Sequence, residues 1–81
     1  MKFICYDINP AATEEEIAEY LEPIAPVTSV TIIREGNEQK PAAIIEMDVS
    51  ASMASELAER FNHRISPRGN RVRVHVLPPT A

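Results

Sequence analysis

Tryptophan is absent from this chain of 81 residues, aromatics make up 5%, glycine occurs twice and cysteine once. Each scarcity excludes a class. One thiol, Cys5, builds neither an internal disulfide framework nor a cysteine metal cluster. Two glycines do not make a glycine-rich phosphate loop. His63 and His75 show no metal-ligand spacing with each other or with Cys5, and no Ser-His or Cys-His signature surrounds them. The expectation is therefore a non-enzyme with no catalytic residue, no metal site and no cofactor. Apolar runs are also short. Met1-Lys2 is followed by only a few apolar residues before Asp7 and Pro10, too few for a signal-peptide core or a membrane span. The cytoplasm is the expected compartment.

Acidic residues are missing from the last part of the chain. Residues 1–59 hold twelve acids against three bases, a balance of −9, whereas residues 60–81 hold five arginines and no acid, a balance of +5. The net charge of −4 argues against a general nucleic-acid coat or a basic membrane-surface protein. The asymmetry nevertheless offers a basic face on an acidic protein. An apolar content of 44% with 25% charged residues suits one small soluble domain spanning residues 1–81, with 1–2 and 78–81 as frayed ends. At this length folding buries only roughly 60% of the unfolded surface, so stability is modest.

Periodicity and punctuation divide the chain into six elements. Phe3 to Ile8 is a short apolar run closed by Asn9-Pro10, the pattern of a buried strand. Thr13 with Glu16 three residues on is a capping box, and Glu14, Glu15 and Glu16 complement the positive end of a helix dipole. Ile17, Leu21 and Ile24 then form one apolar stripe, with Pro23 and Pro26 marking the exit. Val27 to Arg34 is rich in β-branched residues and reads as a strand, turned by Glu35-Gly36-Asn37-Glu38 into a third strand over Ala42 to Met47. Met53, Leu57 and Phe61 recur at i+4 steps on a second helix after Ser50. Ser66 to Asn70 is a loop, and Arg71 to Val76 alternates as a half-buried strand before Pro78-Pro79. The order β-α-β-β-α-β predicts an α+β, ferredoxin-like sandwich: a four-stranded antiparallel sheet with two helices on one face.

Fold alone does not decide function, but the motifs narrow it. Phe3-Ile4-Cys5-Tyr6-Asp7-Ile8, then Asn9-Pro10 and Thr13-Glu14-Glu15-Glu16-Ile17, resembles the opening of an RNA recognition motif. That family reads Leu-Phe-Val-Gly-Asn-Leu, a proline turn, then Thr-Glu-Glu-X-Leu. Tyr20 to Val27 is similar to its Leu-Phe-X-X-Phe-Gly-X-Val, Ser29 to Ile32 to its second strand, and Phe61-Asn62 to its Leu-Asn. Gly69 to Val74 resembles its Gly-Arg-X-Leu-X-Val ending. The octamer Lys40-Pro41-Ala42-Ala43-Ile44-Ile45-Glu46-Met47 stands where the family carries its basic-Gly-aromatic signature. It keeps the basic, small and aliphatic positions and loses every aromatic.

The resemblance implies RNA or single-stranded nucleic-acid binding through the sheet face. The family's base-stacking positions fall on Ile4, Ala42 and Ile44, so an atypical or weak mode is expected. By alternation Tyr6, Thr31, Ile33, Glu46, Arg73 and His75 share that face, while Phe3, Cys5, Val30, Ile32, Ala43, Ile45, Met47, Val72 and Val74 point toward the helices. Candidate contacts are Ile4, Tyr6, Lys40, Ala42, Ile44, Arg68, Arg71, Arg73 and His75.

Two readings stay open for several of these residues. Arg60, Arg64, Arg68, Arg71 and Arg73, with His63 and His75, either bind phosphates and stack on bases or form a solvated edge paired with Glu56, Glu59 and Glu46. Tyr6 either stacks a base or covers Ile4 and Ile44. An apolar patch of Ile4, Ile33 and Ile44, edged by Tyr6 and Ala42, either makes a protein interface or lies under the Pro78-Pro79 tail. The alternative function is accordingly a protein-interaction or homodimerisation module using Ile4, Tyr6, Ile33 and Ile44. The acids Glu14, Glu15, Glu16, Glu19 and Glu22 read as a solvated helix face or as a docking surface for a basic partner.

Overall fold

A computed structural model describes residues 1–36, 39–62 and 71–77. Its elements are β1 (Lys2–Tyr6), α1 (Glu14–Leu21), β2 (Val27–Ile33), β3 (Ala42–Met47), α2 (Ala51–Phe61) and β4 (Arg73–Leu77). The four strands form one antiparallel sheet in the order β2-β3-β1-β4. This is the ferredoxin-like arrangement expected from the sequence, with α1 packed on β2 and α2 on β4.

Local chemistry sets the boundaries. β1 stops at Tyr6 because Asp7 takes a left-handed backbone (φ 62°), which Asp tolerates better than most residues. The expected strand to Ile8 is thus two residues too long. At its other end, the Met1 ammonium donates to the Met47 carbonyl (2.9 Å) and the Met47 N–H donates to the Met1 carbonyl (3.0 Å). Residues 1 and 2, expected as a frayed end, are therefore held by the sheet. Thr13 Oγ1 accepts from the Glu16 N–H (3.1 Å) and caps α1, as the capping box predicts. Ser50 Oγ does the same for α2 from the Met53 N–H (3.2 Å).

The core lies between the inward sheet face and the helices. Phe3, Cys5, Ile8, Ala43, Ile45, Met47 and Val72 meet Ala54, Leu57 and Ala58, and Ile17, Leu21, Val30, Ile32, Phe61 and Val74 close its edges. All nine residues expected to point toward the helices belong to it. Two apolar stripes need correction. Ile24 is 41% exposed, because α1 ends at Leu21 and a turn carries Ile24 off the helix. Met53 is 46% exposed, because α2 presents Ala54, Leu57 and Ala58 to the sheet, and Met53 stands about 100° round from Ala54. Small residues let this helix come close: Ala43 and Ala54 are fully buried at 0% exposure. β4 begins at Arg73 rather than Arg71, which makes only an isolated bridge. The loop expected over Ser66 to Asn70 and the Pro78-Pro79 stop lie outside the described residues.

Candidate nucleic-acid interface

Strand register builds the open face of the sheet in rows. Ser29, Glu46, Lys2 and Leu77 stand side by side across β2-β3-β1-β4. Thr31, Ile44, Ile4 and His75 form the next row. In the third, Ile33 opposes Ala42 and Tyr6 opposes Arg73. Tyr6, Thr31, Ile33, Glu46, Arg73 and His75 therefore share one face, as alternation requires. Lys2 and Leu77, which the sequence reading passed over, extend it. One further step of the same alternation along β1 and β4 finds them.

The face is less apolar than its isoleucines suggest. Ile4 and Ile44 are half-buried because they oppose each other in the two central strands, with Thr31 and His75 as outer neighbours. Of the three isoleucines in the expected patch, only Ile33 is exposed, at 42%. Ala42 is half-buried and Lys40 exposed. Lys40 precedes the fully buried Pro41, whose carbonyl accepts from the Ile8 N–H (3.2 Å) and anchors the start of β3 beside the end of β1.

Polar and aromatic chemistry converges at the β1–β4 side. Arg73 Nε donates to Asp7 Oδ2 at 3.1 Å, an ion pair whose side chains are 53% and 33% exposed. The same guanidinium carbon stands 5.3 Å from the Tyr6 ring centroid, a cation–π distance. His75 meets Tyr6 edge to face, with centroids 6.1 Å apart and planes at 65°. Tyr6 is thus engaged with β4. The acid that Arg73 pairs with is Asp7, not Glu46. Asp7 had no place among the expected site residues, although its left-handed backbone turns its carboxylate to the strand end where Arg73 sits.

The structure thus brings Ile4, Tyr6, Ala42, Ile44, Arg73 and His75 onto one surface. Arg71 is exposed two residues before Arg73. Arg68, like Arg64 and His63, lies outside the described residues. Cys5 faces the core, and burial first, then the Asp7 charge, pushes its thiol up to about 11. At neutral pH this buried thiol is therefore held in its protonated form. Among the described residues no group of three or more His, Cys, Asp or Glu side chains is placed to hold a metal ion. No described helix is long and apolar enough to cross a membrane.

Comparison with known proteins gives this geometry a family. No curated protein matches the chain. Two solved structures, both of the RRM3 domain of Mip6, are similar to it at 18% identity and cover 91% of this chain. The first has a TM-score of 0.77 and is covered over 89% of its own length; the second has 0.76 and 88%. At that identity the likeness concerns the fold. The sequence model of the family described as RNA recognition motif matches residues 4–69, most of the chain and both signature strands. The chain belongs to the RNA recognition motif family.

Proposed function

We propose that this chain is a non-catalytic module that binds RNA or another single-stranded nucleic acid in an atypical, weak mode. Family membership supports a nucleic-acid-binding module in general, and such domains are typically non-catalytic. The observation that carries the finer reading is the Tyr6–Arg73–His75 cluster on the open sheet face. Three side chains able to stack on or hydrogen-bond a base stand together there, on β1 and β4, with His75 directly opposite Ile4, one of the lost aromatic positions.

Energetics assign the mode. Aromatic–base stacking contributes about 1–3 kcal/mol per base. Aliphatic residues at Ile4, Ala42 and Ile44 therefore forgo roughly 3–9 kcal/mol relative to a three-platform sheet. Ile4 and Ile44 serve instead as an apolar floor, while Arg71, Arg73, Lys40 and Arg68 supply phosphate contacts. Glu46 on the same face works against phosphate and keeps binding near the β4 side.

The test is a backbone amide NMR titration with a pool of short random RNAs at low salt. Saturable shifts centred on Ile4, Tyr6, Ile44 and Arg71 to His75 are expected. Arg73→Glu should weaken binding at least tenfold, equivalent to about 1.4 kcal/mol. A flat titration would refute the reading. Binding that survives Arg73→Glu but fails on Ile44→Asp would move the contact to the aliphatic floor.

A further inference from the structure

Lys2 on β1 and Glu46 on β3 are direct cross-strand partners on the open sheet face. Opposite charges at such positions ordinarily stabilise each other by pairing. Here they do not pair. Among the described residues neither the Lys2 ammonium nor the Glu46 carboxylate makes a hydrogen bond or an ion pair. Lys2 is exposed and Glu46 half-buried. A pure donor and a pure acceptor thus stand open side by side. Two residues further along the same strands, Ile4 and Ile44 oppose each other in the next pair of the same register. The four residues make a small rectangle with an apolar half and a charged half. Neighbouring strands lie about 4.7–4.9 Å apart and alternate residues of one strand roughly 6.8 Å apart. A flat ring laid over the two isoleucines therefore brings one of its edges to Glu46 and Lys2.

Edge chemistry identifies the ring. Guanine presents two adjacent donors on its Watson–Crick edge, N1–H and the N2 amino group, followed by the O6 acceptor. A carboxylate takes both donors at once through its two oxygens, and a neighbouring ammonium donates to O6. Adenine and cytosine each offer one amino donor beside one acceptor, which leaves a carboxylate oxygen unmatched. Uracil and thymine offer a single N–H between two carbonyls, and one of those carbonyls is set against the carboxylate. We propose that Glu46, with Lys2 beside it, makes this sheet selective for guanine in a single-stranded nucleic acid. The inference rests on the nucleic-acid reading above and adds the base that the face selects. It also accounts for an acid on a surface that meets phosphates. The Glu46 charge repels the backbone, yet the same charge strengthens acceptance from the N–H groups of a base edge. With guanine on the Ile4–Ile44 floor, the phosphates run on the β4 side, toward Arg71 and Arg73.

The probes are labelled pentanucleotides of uridine with one central guanosine, read by fluorescence anisotropy on the whole chain at low salt. Comparison strands carry central inosine, adenosine, cytidine or uridine. Inosine is guanosine without the N2 amino group, so it tests the second donor alone. The guanosine strand should bind at least about fivefold tighter than the all-uridine strand, and inosine should lose at least about half of that advantage. Glu46→Gln keeps the shape of the side chain and replaces one acceptor by a donor. It should bring guanosine to within about twofold of uridine, and Lys2→Met should lower the guanosine-to-uridine ratio at least about twofold. An unchanged amide NMR spectrum outside the open face confirms that each variant keeps the fold. If all five strands bind alike, the guanine proposal is overturned and the nucleic-acid reading stands. If none binds, both fall. A guanosine preference that survives Glu46→Gln, or a stronger preference for adenosine or cytidine, would also overturn the proposal. Guanosine monophosphate binding as tightly as the strand would give the site to a free nucleotide, with the same consequence.

Discussion

Arg73 carries most of the tension in the nucleic-acid reading, since the residue best placed to meet a phosphate already meets a carboxylate. Its pair with Asp7 is partly exposed, so it is worth only about 0.2–1 kcal/mol, and the Tyr6 contact adds about 0.5–1 kcal/mol. Those magnitudes make Asp7 a competitor that a ligand can displace. Asp7→Asn keeps a residue tolerant of the left-handed backbone and removes the charge. Stability should change by less than about 1 kcal/mol in thermal melts, and RNA affinity should rise about two- to fivefold in titrations. A loss of affinity would show that Asp7 positions Arg73 for binding rather than withholding it. Cys5 gives a second residue-scale prediction. Its thiol stays protonated up to about 11 in the fold, against 9.0 as the ordinary value. A folded-state pKa raised in this way favours the native state below the ordinary value. The advantage is lost as pH rises, because the unfolded thiol ionises first. Chemical denaturation should therefore show stability falling between pH about 9 and about 11, and Cys5→Ser should remove that component of the fall. At neutral pH a thiol reagent should label Cys5 no faster than the chain opens.

Among the elements, the loop between β1 and α1 depends on a residue far along the chain. Arg34, just past β2, donates from Nη1 to the Pro10 carbonyl (2.7 Å) and from Nη2 to the Ala12 carbonyl (2.9 Å). Together with the Asn9 side chain, which accepts from the Ala11 N–H (2.8 Å), this fork fixes the loop that delivers Thr13 to its capping position. Arg34→Ala should cost about 1–2 kcal/mol in denaturant unfolding, two hydrogen bonds to a charged group discounted for exposure. Arg34→Lys should recover less than half, because an ammonium cannot span both carbonyls. A silent Arg34→Ala would mean the loop holds itself. At the opposite end, Asn62 caps α2 and accepts from the Val74 N–H (3.1 Å), tying edge strand β4 to the helix. The proposed nucleic-acid side of the sheet therefore sits on a strand that α2 restrains.

At the scale of the whole molecule, the arginines of the open sheet face govern how the proposed binding responds to salt. Glu14, Glu15, Glu16 and Glu19 lie on α1 and Glu56 and Glu59 on α2, while Arg73 and His75 lie on the open sheet face. Weak binding by a few arginines should be steeply sensitive to salt. With about three or four phosphates met, the logarithm of affinity should fall with the logarithm of salt at a slope of roughly −2 to −3. Fluorescence anisotropy with a labelled single strand from low to physiological salt measures it. A flat dependence would remove the arginines from the contact.

The sequence by itself determined the element order, the sheet face of the strand residues it assigned, and the start of α1. Those features follow from short-range rules: period-2 alternation, β-branched runs, capping hydroxyls and proline exits. It also determined that the stacking positions Ile4, Ala42 and Ile44 are aliphatic, since the loss is written in the residues. Only tertiary structure decided which side chains meet. Asp7 and Arg73 are 66 positions apart, and their pairing needs β1 and β4 to lie in register. Arg34 reaches Pro10 because β2 and the β1–α1 loop converge in space. Ile24 and Met53 looked like core in the helical pattern and emerged exposed, because where a helix stops and which stripe it presents depend on what packs against it. Local periodicity says which residues share a face; the assembled sheet and helices decide what that face touches.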